Sequence, residues 1–395
     1  MVALHMNLNT PRRAFLGSTA ALVLKPETVF GSQANSAIEV GIIGCGGRGG
    51  FIGGFFKEFT GARIVGLHDP FADRIEGVRT RLAAPDAKAY VGLEAYKDLV
   101  ASKLDAVAVL SPPYFHPEQV AAVVGAGKHV FIAKPVAVDV PGCKSILASG
   151  EKARGKLSFL IDFQTRAQAP FQEAAARIHR GEIGAPVLGH VYYHASRLNP
   201  QAKPGMPETE ARLRNWVFDK VLSGDIIVEQ NVHVLDMANW YLQAHPISAF
   251  GTGGRKARVD VGDCWDHFLV NFTYPNDVKV DFSSAQFTRG YNDLCARIYG
   301  SQGTADTHYN GFVRITGDKP WNGADKDDTF RAGAIANVRA FVESIRAGKP
   351  LNNAAESVES TLTGVLGRMA AYAKRVVTWD EMMRSTERLR ADLKL

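Results

Sequence analysis

IEVGII at residues 38–43 runs without interruption into GCGGRG at residues 44–49. The first stretch is short and rich in β-branched residues, which is typical of a buried strand in a parallel sheet. The second has the spacing G-x-G-x-x-G. Gly44 there permits a tight turn, Gly46 lets the backbone approach a pyrophosphate, and Gly49 lets the next helix lie close to the strand. Together the two stretches predict the first strand and helix of a dinucleotide-binding fold.

The chain from residue 38 to residue 161 alternates strand and helix patterns. Strands are predicted at residues 62–67, 105–110, 129–132 and 157–161, with helical stretches between them. This alternation predicts an α/β fold, a Rossmann-type doubly wound parallel sheet whose ligand binds at the carboxyl ends of the strands.

From residue 162 to residue 395 the pattern changes. Strand patterns at residues 187–193, 267–274, 278–282 and 296–299 have no helices between them, and two amphipathic helices follow. We therefore predict a C-terminal α+β domain with a mostly antiparallel sheet.

Asp69 ends the second predicted strand, 20 residues after Gly49. A carboxylate at this place can accept hydrogen bonds from the 2′-hydroxyl of the adenosine ribose. The same carboxylate repels a 2′-phosphate, so the sequence favours NAD over NADP, although Arg48 and Arg74 lie near it in the sequence. The alternative is that Asp69 only caps the helix that begins near Phe71.

The composition excludes several classes of protein. Of 395 residues, 46% are hydrophobic and 22% are charged, which excludes a disordered or collagen-like chain. No apolar run reaches the 18 or so residues of a membrane span, so we expect no integral membrane protein. The net charge of +6 is spread along the chain, which argues against a nucleic acid partner. Four cysteines without metal-ligand spacing argue against a zinc site and against a disulfide framework.

Residues 1–37 form a different kind of segment. Arg12 and Arg13 are followed by Phe15 and Leu16, and then by a short apolar stretch and a tail rich in small residues. The segment resembles a twin-arginine export signal, which predicts a periplasmic protein. The alternative is a disordered leader on a cytoplasmic protein.

An ordered set of short motifs identifies the chain as resembling the Gfo/Idh/MocA family of nicotinamide-dependent oxidoreductases over residues 38–380. The set consists of Gly44-x-Gly46-x-x-Gly49, Ser111-Pro112-Pro113 with His116, Lys134-Pro135, GDIIVE at residues 224–229, His233 and Asp236. The resemblance implies a nicotinamide cofactor and a sugar or polyol substrate. It also implies that the second sheet is one open sheet. Its outer face is expected to form a homo-oligomer, a dimer or tetramer.

Two positions depart from the family pattern. Alanine at residue 133 replaces the glutamate that precedes the family's lysine, and Glu229 replaces the aspartate that stands four residues before the histidine. Both changes affect the charges expected around the reacting groups. The fold is not affected.

We predict the cofactor contacts from the glycine turn and from the loops that follow the strands. They are Gly44, Gly46, Gly47, Arg48, Gly49, Asp69, Ser111, Pro112, His116 and Lys134.

Residues 225–242 are predicted to form one helix. On its helical wheel Glu229, His233, Asp236 and Trp240 share a stripe, and apolar residues lie opposite. A stripe that includes a tryptophan and has no lysine or arginine predicts an active-site face. The alternatives are a solvated face and a metal ion shared by the glutamate, the histidine and the aspartate; our prediction includes no metal.

Aromatic, arginine and aspartate side chains on nearby segments suit a site that binds a sugar, since rings cover C–H surfaces and planar groups bind hydroxyls. The predicted substrate-binding residues are Arg166, Tyr193, Arg197, Trp216 and Asp236. The alternative for each residue taken singly is a structural role.

Alcohol oxidation needs a base for the hydroxyl proton and a cofactor that takes the hydride. We assign His233 as general base on the expectation of a pKa near neutrality, with Glu229 orienting the ring and Lys134 holding the hydroxyl. Lys134 is equally suited to be the base, because burial and a cationic nicotinamide lower the pKa of an amine.

These observations predict an NAD-dependent enzyme that oxidises or reduces a secondary hydroxyl of a sugar, glycoside or polyol. Because no pool of free NAD is maintained outside the cytoplasm, an exported enzyme is expected to hold its cofactor tightly. One alternative is a glycoside hydrolase or lyase that oxidises C3 transiently and eliminates the aglycone. A non-catalytic sensor of NAD or sugar is a third interpretation.

Overall fold

Six parallel strands form the first sheet of the structure. A computed structural model describes residues 37–394 except Asp327, and within these residues the chain forms one compact unit. The strands are β1 (Glu39–Ile43), β2 (Arg63–Asp69), β3 (Lys88–Val91), β4 (Ala106–Val109), β5 (His129–Ile132) and β6 (Phe159–Ile161). They pair in the order β3-β2-β1-β4-β5-β6, which brings the carboxyl ends of β1 and β4 side by side.

Helices cross over between these strands. They are α1 (Gly47–Thr60), α2 (Ala72–Arg81), α3 (Tyr96–Ala101), α4 (His116–Gly125) and α5 (Val140–Ala153). Neither β3 nor α3 is predicted from the sequence, because elements of four and six residues are too short to show a clear period. The doubly wound parallel sheet is confirmed.

The second sheet has nine strands. They are β7 (Pro186–Ser196), β8 (Ser248–Gly254), β9 (His267–Thr273), β10 (Lys279–Thr288), β11 (Asp293–Gly300), β12 (Gly303–His308), β13 (Val313–Gly317), β14 (Trp321–Ala324) and β15 (Val377–Thr378). Their order is β14-β13-β12-β11-β7-β10-β9-β8-β15, and β7 with β10 is the parallel pair among them. Buried residues alternate with more exposed ones along β9, as in a sheet with one face on the core. The predicted open, mostly antiparallel sheet is therefore confirmed.

The remaining helices follow β6 in the chain. They are α6 (Ala169–His179), α7 (Glu208–Arg214), α8 (Lys220–Ser223), α9 (Ile226–Glu229), α10 (Val232–Leu242), α11 (Ala334–Arg346), α12 (Ala354–Ala373) and α13 (Trp379–Met383). Among the described residues, no helix combines the length and the apolar character that a bilayer crossing requires.

Helix α11 packs against the first sheet, although it comes late in the chain. The ring of Phe341 lies 6.0 Å from that of Phe56 and 5.7 Å from that of Phe131. The apolar stripe of α11 thus completes the core under the parallel sheet. The domain boundary between residues 161 and 162 stays a prediction, since this helix crosses it by packing. The predicted export signal lies outside the described residues.

The prediction of one helix over residues 225–242 is wrong. The chain forms α9 and α10, which Gln230 and Asn231 separate. The side chain of Asp225 caps α9 by accepting a hydrogen bond from the amide of Ile226. Because of this break, the side chains before and after it do not share one face, as they would on a single helix.

Candidate active site

A cleft of about 1020 Å³ opens at the carboxyl ends of the parallel strands. Loops that follow β1, β4 and β5 form one wall, and residues of β7, α9 and α10 form the other. Nine residues predicted from the sequence line it: Gly46, Gly47, Arg48, Ser111, Lys134, Tyr193, Trp216, Glu229 and His233. The parallel sheet and the second sheet therefore contribute to one site.

The glycine turn between β1 and α1 has no room for side chains at two positions. Gly44 has φ +94°, and a Cβ there would lie 2.6 Å from the backbone nitrogen of Ser111. A Cβ on Gly49 would lie 2.1 Å from the carbonyl oxygen of Gly44. At Gly46 and Gly47 the space is open, so a ligand can approach the backbone and the amino end of α1. This turn fits the pyrophosphate of a dinucleotide.

Asp69 lies at the carboxyl end of β2, in a smaller pocket next to the glycine turn. Its Oδ2 accepts a hydrogen bond of 2.9 Å from the amide of Cys45, and its Oδ1 accepts one of 3.0 Å from the amide of Phe71. Burial raises the pKa of this carboxyl above its usual range. Each oxygen has a second lone pair for a ribose hydroxyl. Gly44, Ser111 and Pro112 line the same pocket.

His116 does not reach the cleft, and its prediction as a cofactor contact is corrected. The side chain is fully buried, with Nε2 2.8 Å from the carbonyl oxygen of Ser111 and Nδ1 3.0 Å from that of Pro135. The ring therefore joins the loop after β4 to the loop that carries Lys134. Its role in this geometry is to position those two loops.

Arg48 is fixed at the wall of the cleft by an ion pair with Asp162, whose side chain is completely buried. Asp162 also accepts a hydrogen bond of 2.8 Å from the side-chain amide nitrogen of Asn337. The guanidinium group thus brings a positive charge to the side of the cleft that holds Lys134.

Lys134 follows β5 and contacts α9 across the cleft. Its Nζ donates a hydrogen bond of 2.5 Å to the backbone oxygen of Glu229 and lies 3.4 Å from the Oε1 of the same residue. The two side chains are 16% and 12% exposed. Burial lowers the pKa of Lys134, the Glu229 carboxylate opposes this change, and the charge of Arg48 adds to it. A buried amine of this kind is suited to proton transfer.

His233 lies in the same cleft, but the expected near-neutral pKa is wrong. Burial, together with the positive charges of Lys134 and Arg48, holds the pKa of the imidazole well below 6.5. The ring lies against Phe163 and Tyr309, with centroids 6.3 and 5.3 Å away. Its Nδ1 is buried without a hydrogen-bond partner among the described residues. The imidazole is therefore neutral at physiological pH, and its own surroundings leave it a poor proton acceptor.

Asp236 and Arg166 bind each other and do not line the cleft. The Nε and one terminal nitrogen of Arg166 donate to the carboxylate over 2.8–3.0 Å, and Ser360 donates to it at 2.7 Å. Asp236 is fully buried. The prediction that these two residues touch substrate is corrected, because their polar atoms are committed to one another behind the site.

Arg197 is also outside the cleft. Its side chain lies at the surface, where it pairs with Asp260 at 2.5 Å. The turn of the chain after β7 instead brings Leu198, Asn199 and Gln201 to the cleft. In extended backbone a shift of one position reverses the direction of a side chain. The sequence alone did not show which residues of this segment face the cleft.

Some lining residues were missed. Gln230 follows Glu229 at the break between α9 and α10, and Tyr309 and Phe330 come from distant loops. The hydroxyl of Tyr309 donates to Oε1 of Gln164 at 2.7 Å, across a separation of 145 residues. Because these contacts join segments far apart in the chain, no local pattern could indicate them.

The shared metal ion weighed for Glu229, His233 and Asp236 has no support in this geometry, since Asp236 is turned toward Arg166. In the described part of the chain, three possible metal ligands come together elsewhere, at Cys295, Asp306 and His308 on β11 and β12. There Arg297 already donates to Asp306 at 2.8 Å, which disfavours a cation on that carboxylate.

Comparisons with known proteins match both parts of the chain. Residues 38–160 match the oxidoreductase family, NAD-binding Rossmann fold, of the Gfo/Idh/MocA group, and residues 171–306 match the Gfo/Idh/MocA C-terminal domain. The two matches cover about two thirds of the chain.

Curated relatives include an inositol 2-dehydrogenase of Acidothermus cellulolyticus, 27% identical over 68% of this chain and 72% of the relative. Inositol 2-dehydrogenase 3 of Saccharopolyspora erythraea is 28% identical over the same shares of the two chains.

Solved structures share the fold at lower identity. The scyllo-inositol dehydrogenase of Lactobacillus casei with bound NAD(H) and scyllo-inositol has a TM-score of 0.69 at 17% identity, over 87% of this chain and all of that chain. The aldose–aldose oxidoreductase of Caulobacter crescentus complexed with glycerol has a TM-score of 0.69 at 19% identity, over the same shares.

Proposed function

Because the chain belongs to the Gfo/Idh/MocA family of NAD-binding oxidoreductases, we propose that it oxidises a secondary hydroxyl of a polyol, sugar or glycoside. In the reverse direction it reduces the corresponding ketone. One observation carries the proposal. Lys134 and His233 face one cleft, and the glycine turn that suits a dinucleotide forms another part of its wall.

The residues present fit a nicotinamide dinucleotide. The turn from Gly44 to Gly49 leaves the backbone open to a pyrophosphate, and Asp69 offers a carboxylate for ribose hydroxyls. When bound, NAD supplies the acceptor for the hydride that leaves the alcohol carbon. The protein contributes placement, exclusion of water and a proton acceptor.

Lys134 is the proton acceptor in this proposal. An effective general base has a pKa near the working pH. Burial lowers the pKa of Lys134 from an ordinary value that lies above that pH, whereas the pKa of His233 is held well below 6.5. The uncharged amine takes the hydroxyl proton at Nζ. The neutral imidazole of His233 orients the same hydroxyl, since its low basicity suits a hydrogen bond better than a proton. Glu229 holds Lys134 in place and stabilises its charged form.

The substrate class is inferred from the walls of the cleft and from the relatives. Tyr193 and Trp216 offer aromatic rings, and Asn199, Gln201 and Gln230 offer amides that bind hydroxyls. The curated relatives are named inositol 2-dehydrogenases, which supports a cyclic polyol or a pyranose as the substrate.

The proposal includes an exported enzyme that keeps its cofactor. A twin-arginine signal would carry the folded protein, with bound NAD, to the periplasm. There the nucleotide must be recycled in place by a second substrate or within one catalytic cycle. A homo-oligomer formed through the outer face of the second sheet is part of the same proposal. The comparisons give no support to the elimination alternative.

The test is to purify the full chain from periplasmic and cytoplasmic fractions and to identify any bound nucleotide by mass spectrometry after denaturation. The protein is then loaded with NAD and mixed with inositols, aldoses and glycosides, with absorbance at 340 nm as readout. We expect bound NAD and reduction by at least one polyol or sugar. Failure of every such compound to reduce the cofactor would refute the substrate class, and absence of any binding of NAD or NADP would refute the function.

The pH dependence of oxidation tests the proton acceptor. Lys134 must lose its proton to act as a base, so kcat/KM is expected to rise as the pH rises through its pKa. The midpoint should lie below the ordinary lysine value of about 10.4. Glu229→Gln removes a negative charge that raises this pKa, so the midpoint should move to lower pH. Profiles of kcat/KM from about pH 5 to 10 measure both effects. A rise near pH 6.5 that disappears in His233→Asn would assign the base to His233 instead.

A further inference from the structure

Helix α7 crosses from the second part of the chain to the adenosine side of the cofactor site. It begins 12 residues after the end of β7, by the bounds Pro186–Ser196 and Glu208–Arg214, whereas the residues it touches lie around residue 70. No role is predicted for it from the sequence.

Arg214 makes the main polar contact across this gap. Its two terminal nitrogens donate to the two carboxylate oxygens of Asp73 at 3.0 and 2.8 Å. The guanidinium also lies 4.3 Å from the ring centroid of Phe71, and its Nε donates to Glu210 within α7 at 2.7 Å. Bidentate pairing together with stacking fixes the orientation of an arginine more strictly than a single contact does.

Leu213 makes the apolar contact beside it. The side chain is 3% exposed and lines the smaller pocket together with Asp69, Phe71, Ser111 and Pro112. Leu213 therefore forms part of the wall of this pocket, opposite the strand end that carries Asp69.

We propose that α7 acts as a clasp, a helix that covers the adenosine half of the bound nicotinamide cofactor. The ion pair between Arg214 and Asp73, which we call its catch, holds the helix in this position. The inference rests on the proposed function and deepens it. Asp69, whose carboxylate suits the adenosine ribose, lines the pocket that Leu213 closes, and Asp73 lies on the helix that follows Asp69. The bound nucleotide therefore leaves only when the contacts of Arg214 and Leu213 break. The clasp makes cofactor exchange slow, which is the property an exported enzyme needs.

The test measures release of NAD from the full-length protein. Protein loaded with NAD is mixed with an excess of a fluorescent NAD analogue, and the dissociation rate is read from the rise in bound fluorescence. Equilibrium affinity is measured separately by calorimetry. We expect Asp73→Asn and Arg214→Gln each to raise the dissociation rate by roughly fivefold, the scale of one well-placed ion pair. Leu213→Ala is expected to raise it by roughly tenfold or more.

A double variant and a control separate the catch from general effects. Asp73→Asn with Arg214→Gln should release NAD no faster than the faster single variant, because both changes remove one contact. Arg180→Gln is the matched control, since the half-exposed Arg180 pairs with Glu173 and Glu182, and none of the three lines the cleft. It should leave the dissociation rate unchanged.

Two results would overturn the clasp. One is an unchanged dissociation rate in Asp73→Asn and Arg214→Gln. The other is tighter equilibrium binding in these variants, which would mean that α7 blocks the pocket and does not retain a ligand. Both differ from failure of the proposed function, in which the wild-type protein itself would bind neither NAD nor NADP.

Discussion

Replacing Lys134 with methionine is expected to slow oxidation of an accepted polyol by about 10³-fold, the usual scale for loss of a positioned acid or base. Methionine keeps the length of the side chain but offers no nitrogen at the position of Nζ. It also leaves the Glu229 carboxylate without its cation. Single-turnover reduction of bound NAD, followed at 340 nm, measures the chemical step alone. The affinity for NAD should change far less, because the glycine turn and Asp69 hold the rest of the nucleotide.

Two further variants test whether the loss of rate comes from the missing base at Lys134. His233→Asn keeps a neutral hydrogen-bonding group, so we expect a loss of about tenfold, well below that of Lys134→Met. Lys128→Met is the matched control, because Lys128 donates to the carbonyl oxygens of Ser102 and Leu104 outside the cleft. If Lys134→Met stays within tenfold of wild type, or if His233→Asn loses more than Lys134→Met, the proton acceptor has been assigned to the wrong residue.

Gly49→Ala is expected to lower the affinity for NAD by about 100-fold or more. A Cβ at this position would lie 2.1 Å from the carbonyl oxygen of Gly44. That oxygen belongs to the backbone, so the clash cannot be relieved by a change of side-chain rotamer. The turn and α1 must move apart, which takes the amino end of the helix away from the pyrophosphate. Fluorescence titration with NAD and thermal unfolding of the same samples measure the two consequences.

Gly54→Ala is the control on the same helix. The nearest atom to a Cβ there is a methyl of Leu82 at 3.9 Å, an ordinary contact. Alanine is a better helix former than glycine, so this variant should keep its NAD affinity and gain up to about 1 kcal/mol in stability. Equal losses of affinity in both variants would show that the effect belongs to α1 in general and not to the close approach at Gly49.

Much of the cofactor side could be read from the sequence because its requirements are local. The run before Gly44 is buried on both faces, and the glycines stand where a turn has positive φ or where helix and strand meet. The carboxylate at the end of β2 follows at the spacing that one strand and one helix impose. Such features depend on neighbours within about 30 residues, so a single sequence displays them.

The substrate side was predicted less well, for a reason visible in residues 225–242. The helical wheel placed Glu229, His233 and Asp236 on one stripe, but the chain breaks after Glu229 and directs Asp236 to Arg166. The partners that decide each role lie far away along the chain, at Lys134, Arg166 and Ser360. Periodicity predicts which residues share a face of a helix, but it does not predict which residues that face contacts in the folded chain.

The parallel sheet and the glycine turn could be predicted from the sequence because each depends on local spacing, and the resemblance to the Gfo/Idh/MocA family singled out Lys134 and His233. The tertiary structure was needed to show that burial and the charges of Lys134 and Arg48 hold the pKa of His233 well below 6.5, and the proposal of Lys134 as the base rests on this. Only the tertiary structure brought α7 to Asp73, which lies 141 residues before Arg214. Desolvation and contacts across such separations arise when the chain is packed, and no local pattern encodes them.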